Sequence, residues 1–97
     1  MFIGTCTLTF RLPGNDSLKG KRQVSRSLIM RLRNKFNVSS AEVGGIDRHQ
    51  TLIIGLSCVS KDAGYAAELI DAVVRFVEQQ HLDAELVDVE RDLLDGD

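Results

Sequence analysis

Two hydrophobic periods alternate along the chain, and their order limits the fold more than any other feature. Residues 2–12 alternate at period two, with Phe2, Cys6, Leu8, Phe10 and Leu12 on one side and Ile3, Thr5, Thr7, Thr9 and Arg11 on the other. This is the pattern of a half-buried strand. Pro13, Gly14, Asn15 and Asp16 read as a loop. Ser17 then caps a helix over about residues 18–36, whose apolar side is Leu18, Val24, Leu28, Ile29, Leu32 and Phe36 at spacings near 3.6. Asn37 ends it. Residues 38–47 predict a second strand, with Gly44 and Gly45 marking a bulge near its end. A turn follows around Asp47 to Gln50. Residues 51–59 (TLIIGLSCV) are the most apolar strand and belong in the middle of a sheet.

Ser60 or Asp62 caps a second helix over about 62–81. Its Ala66, Leu69, Ile70, Val73, Phe76 and Val77 face a core. Glu68, Asp71, Arg75 and Glu78 face water, with Asp71 and Arg75 placed as an i,i+4 pair. Residues 84–94 give a last strand with Val87, Val89 and Leu93 inward, and the terminal Asp-Gly-Asp is expected to fray. The order β-α-β-β-α-β specifies an α+β, ferredoxin-like domain over residues 1–97: a four-stranded antiparallel sheet of order 4-1-3-2, with two helices on one face. Ile3, Thr5, Thr7, Thr9, Ile53, Gly55, Ser57 and Val59 then fall on the face without helices. An apolar set there predicts a homo-oligomer through the open sheet face or an edge strand.

With 97 residues, 43% hydrophobic and 27% charged, the chain has the balance of one small globular domain. No apolar run approaches the ~20 residues of a membrane helix, and the first residues carry no secretion signal, so a cytoplasmic protein is expected. Cys6 and Cys58 form no C-x-x-C pair and sit in apolar runs, which predicts two buried, reduced thiols lying close together. No P-loop, dinucleotide fingerprint or nucleophile elbow occurs. Asp47, Arg48, His49, His81 and the upstream Glu42 have no spacing that dictates a metal or acid–base site. No catalytic residue, metal ligand or cofactor is expected, and the chain reads as a non-enzyme.

The net charge of −2 conceals a strong asymmetry. Residues 19–35 carry Lys19, Lys21, Arg22, Arg26, Arg31, Arg33 and Lys35 and no acid, a local +7. Residues 83–97 carry seven acids against Arg91, a local −6. Lys19, Arg22, Arg26 and Arg33 fall within about 60° of one another at 100° per residue. Lys19, Lys21 and Arg22 crowd the helix N-terminus, where cations oppose the dipole. Free N–H groups, three cations and the bare backbone of Gly20 would suit a phosphate there. The alternative is a solvated face whose charge answers the acidic C-terminal segment. Strands 1 and 3 lack the aromatics that stack single-stranded RNA on this fold, so binding by phosphates through helix 1 fits better.

SLKGKRQVSRSLIMRLRNKFNVSSAEV, followed by Asp47 and later by VSKD, closely resembles the YlxP-like family of bacterial proteins of unknown function. The likeness spans nearly the whole chain. The family's motif residues fall at Ser17, Leu18, Lys19, Lys21, Arg22, Arg33, Phe36, Asn37, Ala41, Glu42 and Asp47. The resemblance implies a small ferredoxin-like domain, and gene neighbours that include translation initiation factor two and ribosome-binding factor A imply work near the ribosome or RNA. It supplies no activity. Members often carry an aromatic shortly after the turn Asp, where this chain has Arg48 and His49.

The reading is therefore a non-enzymatic RNA- or ribosome-associated accessory protein that binds phosphates through Lys19, Lys21, Arg22, Arg26 and Arg33. Its rivals are a protein-interaction or self-associating module and, third, an anion-binding enzyme at the helix 1 N-terminus.

Overall fold

The computed structural model describes residues 1–80 and 83–96. Its elements are β1 (Phe2–Arg11), α1 (Leu18–Lys35), β2 (Ser39–Gly44), β3 (Thr51–Ser60), α2 (Ala63–Glu78) and β4 (Glu85–Asp95). One antiparallel sheet runs β2-β3-β1-β4, the expected ferredoxin-like topology. No helix is long and apolar enough to cross a membrane. The helices share one face, α1 over β2 and β3, α2 over β1, β3 and β4.

Period two explains the burial. Cys6, Leu8, Phe10 and Leu12 from β1 and its end, with Leu52, Ile54, Leu56 and Cys58 from β3, are all buried. They meet Leu28 and Leu32 from α1 and Ala66, Ile70, Val73, Val74 and Val77 from α2. Ile3, Thr5, Thr7, Thr9, Ile53, Gly55 and Ser57 are half-buried on the opposite face, and Val59 is exposed. Both caps are made by side chains: Ser17 Oγ accepts from Gly20 N at 3.0 Å, and Asp62 Oδ1 from Tyr65 N at 3.2 Å. Helix 2 ends at Glu78, short of the expected 81, and His81 lies outside the described residues.

The expected closeness of the two thiols holds, whereas the inward row of β4 and the frayed end need correction. Thr7 pairs with Gly55, so Cys6 stands opposite Leu56 and Cys58 opposite Gly4. The two free, buried thiols are thereby diagonal neighbours on the helix-covered face, close together as expected. Gly4 eases the packing here, because a Cβ would lie 3.0 Å from Cys58 Sγ and 3.1 Å from Ile70 Cγ1, close enough that both side chains would have to give by a few tenths of an ångström. In β4 the ladder slips between Thr9 and Phe10: Thr9 pairs with Asp88 but Phe10 with Leu86, leaving Val87 as the extra residue of a bulge. Leu86 and Val89 therefore pack on the core, whereas Val87 is 47% exposed, and Leu93 at the far end is 43% exposed. The C-terminal segment does not fray at Asp95, since β4 reaches it and Gly96 N donates to Met1 O at 2.8 Å.

Asp71 also takes a different partner. Its Oδ1 lies 3.2 Å from Arg91 Nε across the α2–β4 junction, not against Arg75. Both side chains are about half exposed, so the pair adds little to stability.

Burial pushes the Cys6 thiol above its usual 9.0, an effect opposed by Arg91 and reinforced by Asp71. Above that usual value the unfolded chain releases the proton and the folded chain keeps it. Stability then falls as pH rises toward the folded thiol's own range. Urea midpoints measured on either side of pH 9 should drop more for the wild type than for Cys6→Ala. Under native conditions a polar alkylating reagent should modify both cysteines only as fast as the chain opens.

Candidate nucleic-acid interface

The seven cations of α1 divide by helix face. Lys21 is 1% exposed. Its ammonium donates to Gly45 O at 2.7 Å, Ile46 O at 2.9 Å and Thr51 O at 3.3 Å, and lies 3.2 Å from Glu42 Oε2. Three protons face four acceptors, so no donor remains for a ligand. The structure takes Lys21 out of the expected phosphate contacts and makes it a latch between α1 and the β2–β3 turn. The helical step contains the signal for this. Position 21 lies about 200° from Lys19, on the side of Leu28 and Leu32.

The helix N-terminus is filled as well. Ser17 caps it, and the Asn15 carboxamide lies over Gly20, where its oxygen would collide with any Cβ. Asn15 Nδ2 donates to Ser17 O and to His49 O. Gly20 thus makes room for Asn15 rather than for a ligand, and the expected anion cradle at the first turn is occupied by the chain's own side chains.

Arg31 and Lys35 turn toward α2. Arg31 Nη1 donates to Gln80 Oε1 at 3.0 Å, and Lys35 Nζ stands 4.9 Å from the centre of the Phe76 ring. Phe76 in turn meets Phe36 edge-to-face at 5.5 Å. Arg31 also lines a groove with Asp83 and Glu85, so compensation by the acidic segment is open to this cation.

Lys19, Arg22, Arg26 and Arg33 occupy the other flank, exposed. Arg33 Nη2 donates to Ser40 O at 3.0 Å on the edge strand β2. Lys19, Arg22 and Arg26 have no hydrogen-bond or ion-pair partner among the described residues. Arg26 and Arg33 border a groove against β2 with Ile29, Met30 and Asn34. The acids Asp88, Glu90 and Asp92 pair with Thr9, Thr7 and Thr5 of β1, which puts them on the open face of the far edge strand. Sheet order separates them from this flank by two intervening strands. The compensating-charge reading is therefore open to Arg31 and not to Lys19, Arg22 or Arg26.

Removing Lys21 would strand Glu42 and three carbonyls. Lys21→Ala should destabilise the fold by about 3–5 kcal/mol, the usual cost of breaking a buried pair from one side. Exposed Arg22→Ala should change stability by no more than about 0.5 kcal/mol. Urea titration of the two variants checks both, and Lys21→Met combined with Glu42→Leu should recover part of the first loss.

Comparison with known proteins agrees with the sequence likeness. Residues 3–91 match the family described as "Protein of unknown function (DUF503)". A protein of Bacillus subtilis (strain 168) described as "Uncharacterized protein YlxP" is 36% identical over 62 residues, 64% of this chain and 67% of the relative. A fold with one buried latch lysine and one unpaired basic flank is thus met in a chain that belongs to the DUF503, YlxP-like family.

Proposed function

We propose that this chain is a non-enzymatic accessory protein that binds the phosphates of structured RNA through the outer flank of α1. One observation carries the reading: Lys19, Arg22 and Arg26 stand exposed without a polar partner among the described residues, next to Arg33. Unpaired surface cations in register along a helix are the electrostatic footprint of a polyanion site. The open sheet face offers threonine, serine, aliphatic and, from β4, acidic side chains rather than aromatic ones, so contact by phosphate and shape through α1 suits the molecule better than base stacking. The gene neighbourhood of the family supports a setting near the ribosome.

With Lys21 withdrawn, four contacts remain. The slope of log affinity against log salt should be about −2.8 to −3.6, at roughly 0.7 to 0.9 per contact. Arg22→Ala with Arg26→Ala should flatten it by about 1.4 to 1.8 while leaving the fold intact. Binding of ribosomal RNA fragments, measured across salt for both proteins, checks this. Absence of binding at low salt, or equal slopes, removes the reading.

A self-associating module is the second reading. Val43, Val59 and Leu94 are exposed, and the ladder partners of Val59 and Leu94 put both on the helix-free face beside Ile3. Light scattering at high micromolar concentration should then show a dimer that Val59→Asp disperses, whereas a monomer leaves this reading without support.

A further inference from the structure

We infer that the β2–β3 turn is the second half of the same phosphate-binding surface, with Arg48 as its contact residue and Lys21 as the residue that positions it. The inference rests on the phosphate reading of α1. Residues 46–50 are all exposed, and a turn of this kind ordinarily moves freely. This one is pinned at several points. Lys21 Nζ holds Gly45 O and Ile46 O, Asn15 Nδ2 holds His49 O, and Leu12 N donates to Gln50 O at 3.0 Å.

Arg48 is fixed by the same set of bonds. Its N–H donates to Gly45 O at 2.9 Å, and that oxygen also accepts from Lys21 at 2.7 Å. The shared acceptor keeps Arg48 N within about 6 Å of the Lys21 ammonium. Lys21 lies between Lys19 and Arg22 in sequence, on the first turns of α1. Asn15, packed on Gly20, also holds His49 O, so the Arg48–His49 backbone is anchored beside the first turns of α1, which carry Lys19 and Arg22, and Arg48 is exposed there without an ion-pair partner among the described residues.

A buried lysine is a costly way to close a hairpin, because its desolvation offsets most of what the ion pair returns. Its distinctive result is a fixed distance between two exposed cationic segments. Two cationic segments at fixed separation match phosphates at fixed separation, as in a structured RNA. A flexible single strand gains less from such rigidity. The acids at this end are Asp47, Asp16 and Glu42; Glu42 faces Lys21, and the first two are exposed. They reduce the local field without occupying Arg48.

The test measures the salt slope for a hairpin of ribosomal RNA in four proteins: wild type, Arg48→Ala, Arg48→Lys and Asn15→Ala. Arg48→Ala should flatten the slope by about 0.7 to 0.9, one phosphate contact. Arg48→Lys should restore it, because the charge is kept. Asn15→Ala loosens the turn without removing a cation, and in that background Arg48→Ala should cost less than in the wild type. If the wild type binds and Arg22→Ala with Arg26→Ala weakens it, but Arg48→Ala leaves the slope unchanged, the turn is no part of the surface and this inference is overturned. An equal cost of Arg48→Ala in both backgrounds overturns the positioning role of the turn's anchors. A wild type that binds no RNA fails the α1 reading itself and takes the inference with it.

Discussion

The ammonium of Lys21 is the point on which the arrangement of this molecule depends. It sits where a helix, the end of an edge strand and a long turn converge, and it bonds a carbonyl or carboxylate from each part of the hairpin. A buried cation that loses its acceptors is expensive, and one that keeps them gains little net stability. What it gives instead is specificity. The hairpin can meet α1 in only one register, because no other placement offers the same acceptors to the same ammonium. Gly45, at φ +61, lets the strand turn so that two successive carbonyls point at one nitrogen.

Once that register is fixed, the remaining charges sort themselves by geometry. The flank of α1 toward α2 uses its cations internally, on Gln80 and the Phe76 ring. The flank toward β2 uses only part of one guanidinium, on a carbonyl of the edge strand. Arg33 thereby covers a backbone acceptor that another strand would otherwise seek, a common defence of sheet edges. The acidic strand sits at the opposite edge of the sheet, so the molecule is electrically polarised despite its small net charge.

The element order was legible because two periods, 2 and 3.6, alternate cleanly, and because Ser17, Asp62, Pro13 and Gly14 punctuate them. Faces of β1 and β3 followed from the same alternation. The β4 bulge was not legible. Val87, Val89 and Leu93 keep odd numbering through it, and no glycine marks the slip, so the pattern reads as an unbroken inward row. The sequence pairs Asp71 with Arg75 because it shows neighbours along a helix and not the strand beneath it; Arg91 lies 20 positions away in the chain. Lys21 was partly legible. Counting lysines in a basic run hid it, whereas its helical angle sets it among leucines. That Gly20 serves Asn15 shows only in the folded chain, since nothing local in the sequence tells a glycine that admits a ligand from one that admits a neighbouring side chain.

The placement of β1 has a consequence for how the chain is made. This strand is interior to the sheet, bonded on one side to β3 and on the other to β4 along its whole length. Phe2 pairs with Asp95, so β1 waits for β4, the later strand in chain order, before its second row of backbone groups is satisfied. Contacts this distant in sequence slow folding, and a nascent chain lacking β4 would present a long, bare central strand. The same pairing brings Met1 against Gly96. Residues 1 and 96 are therefore close enough to be bridged by a short linker, and the domain could be reopened at an exposed loop such as Pro13–Gly14 with every strand of the sheet still in place.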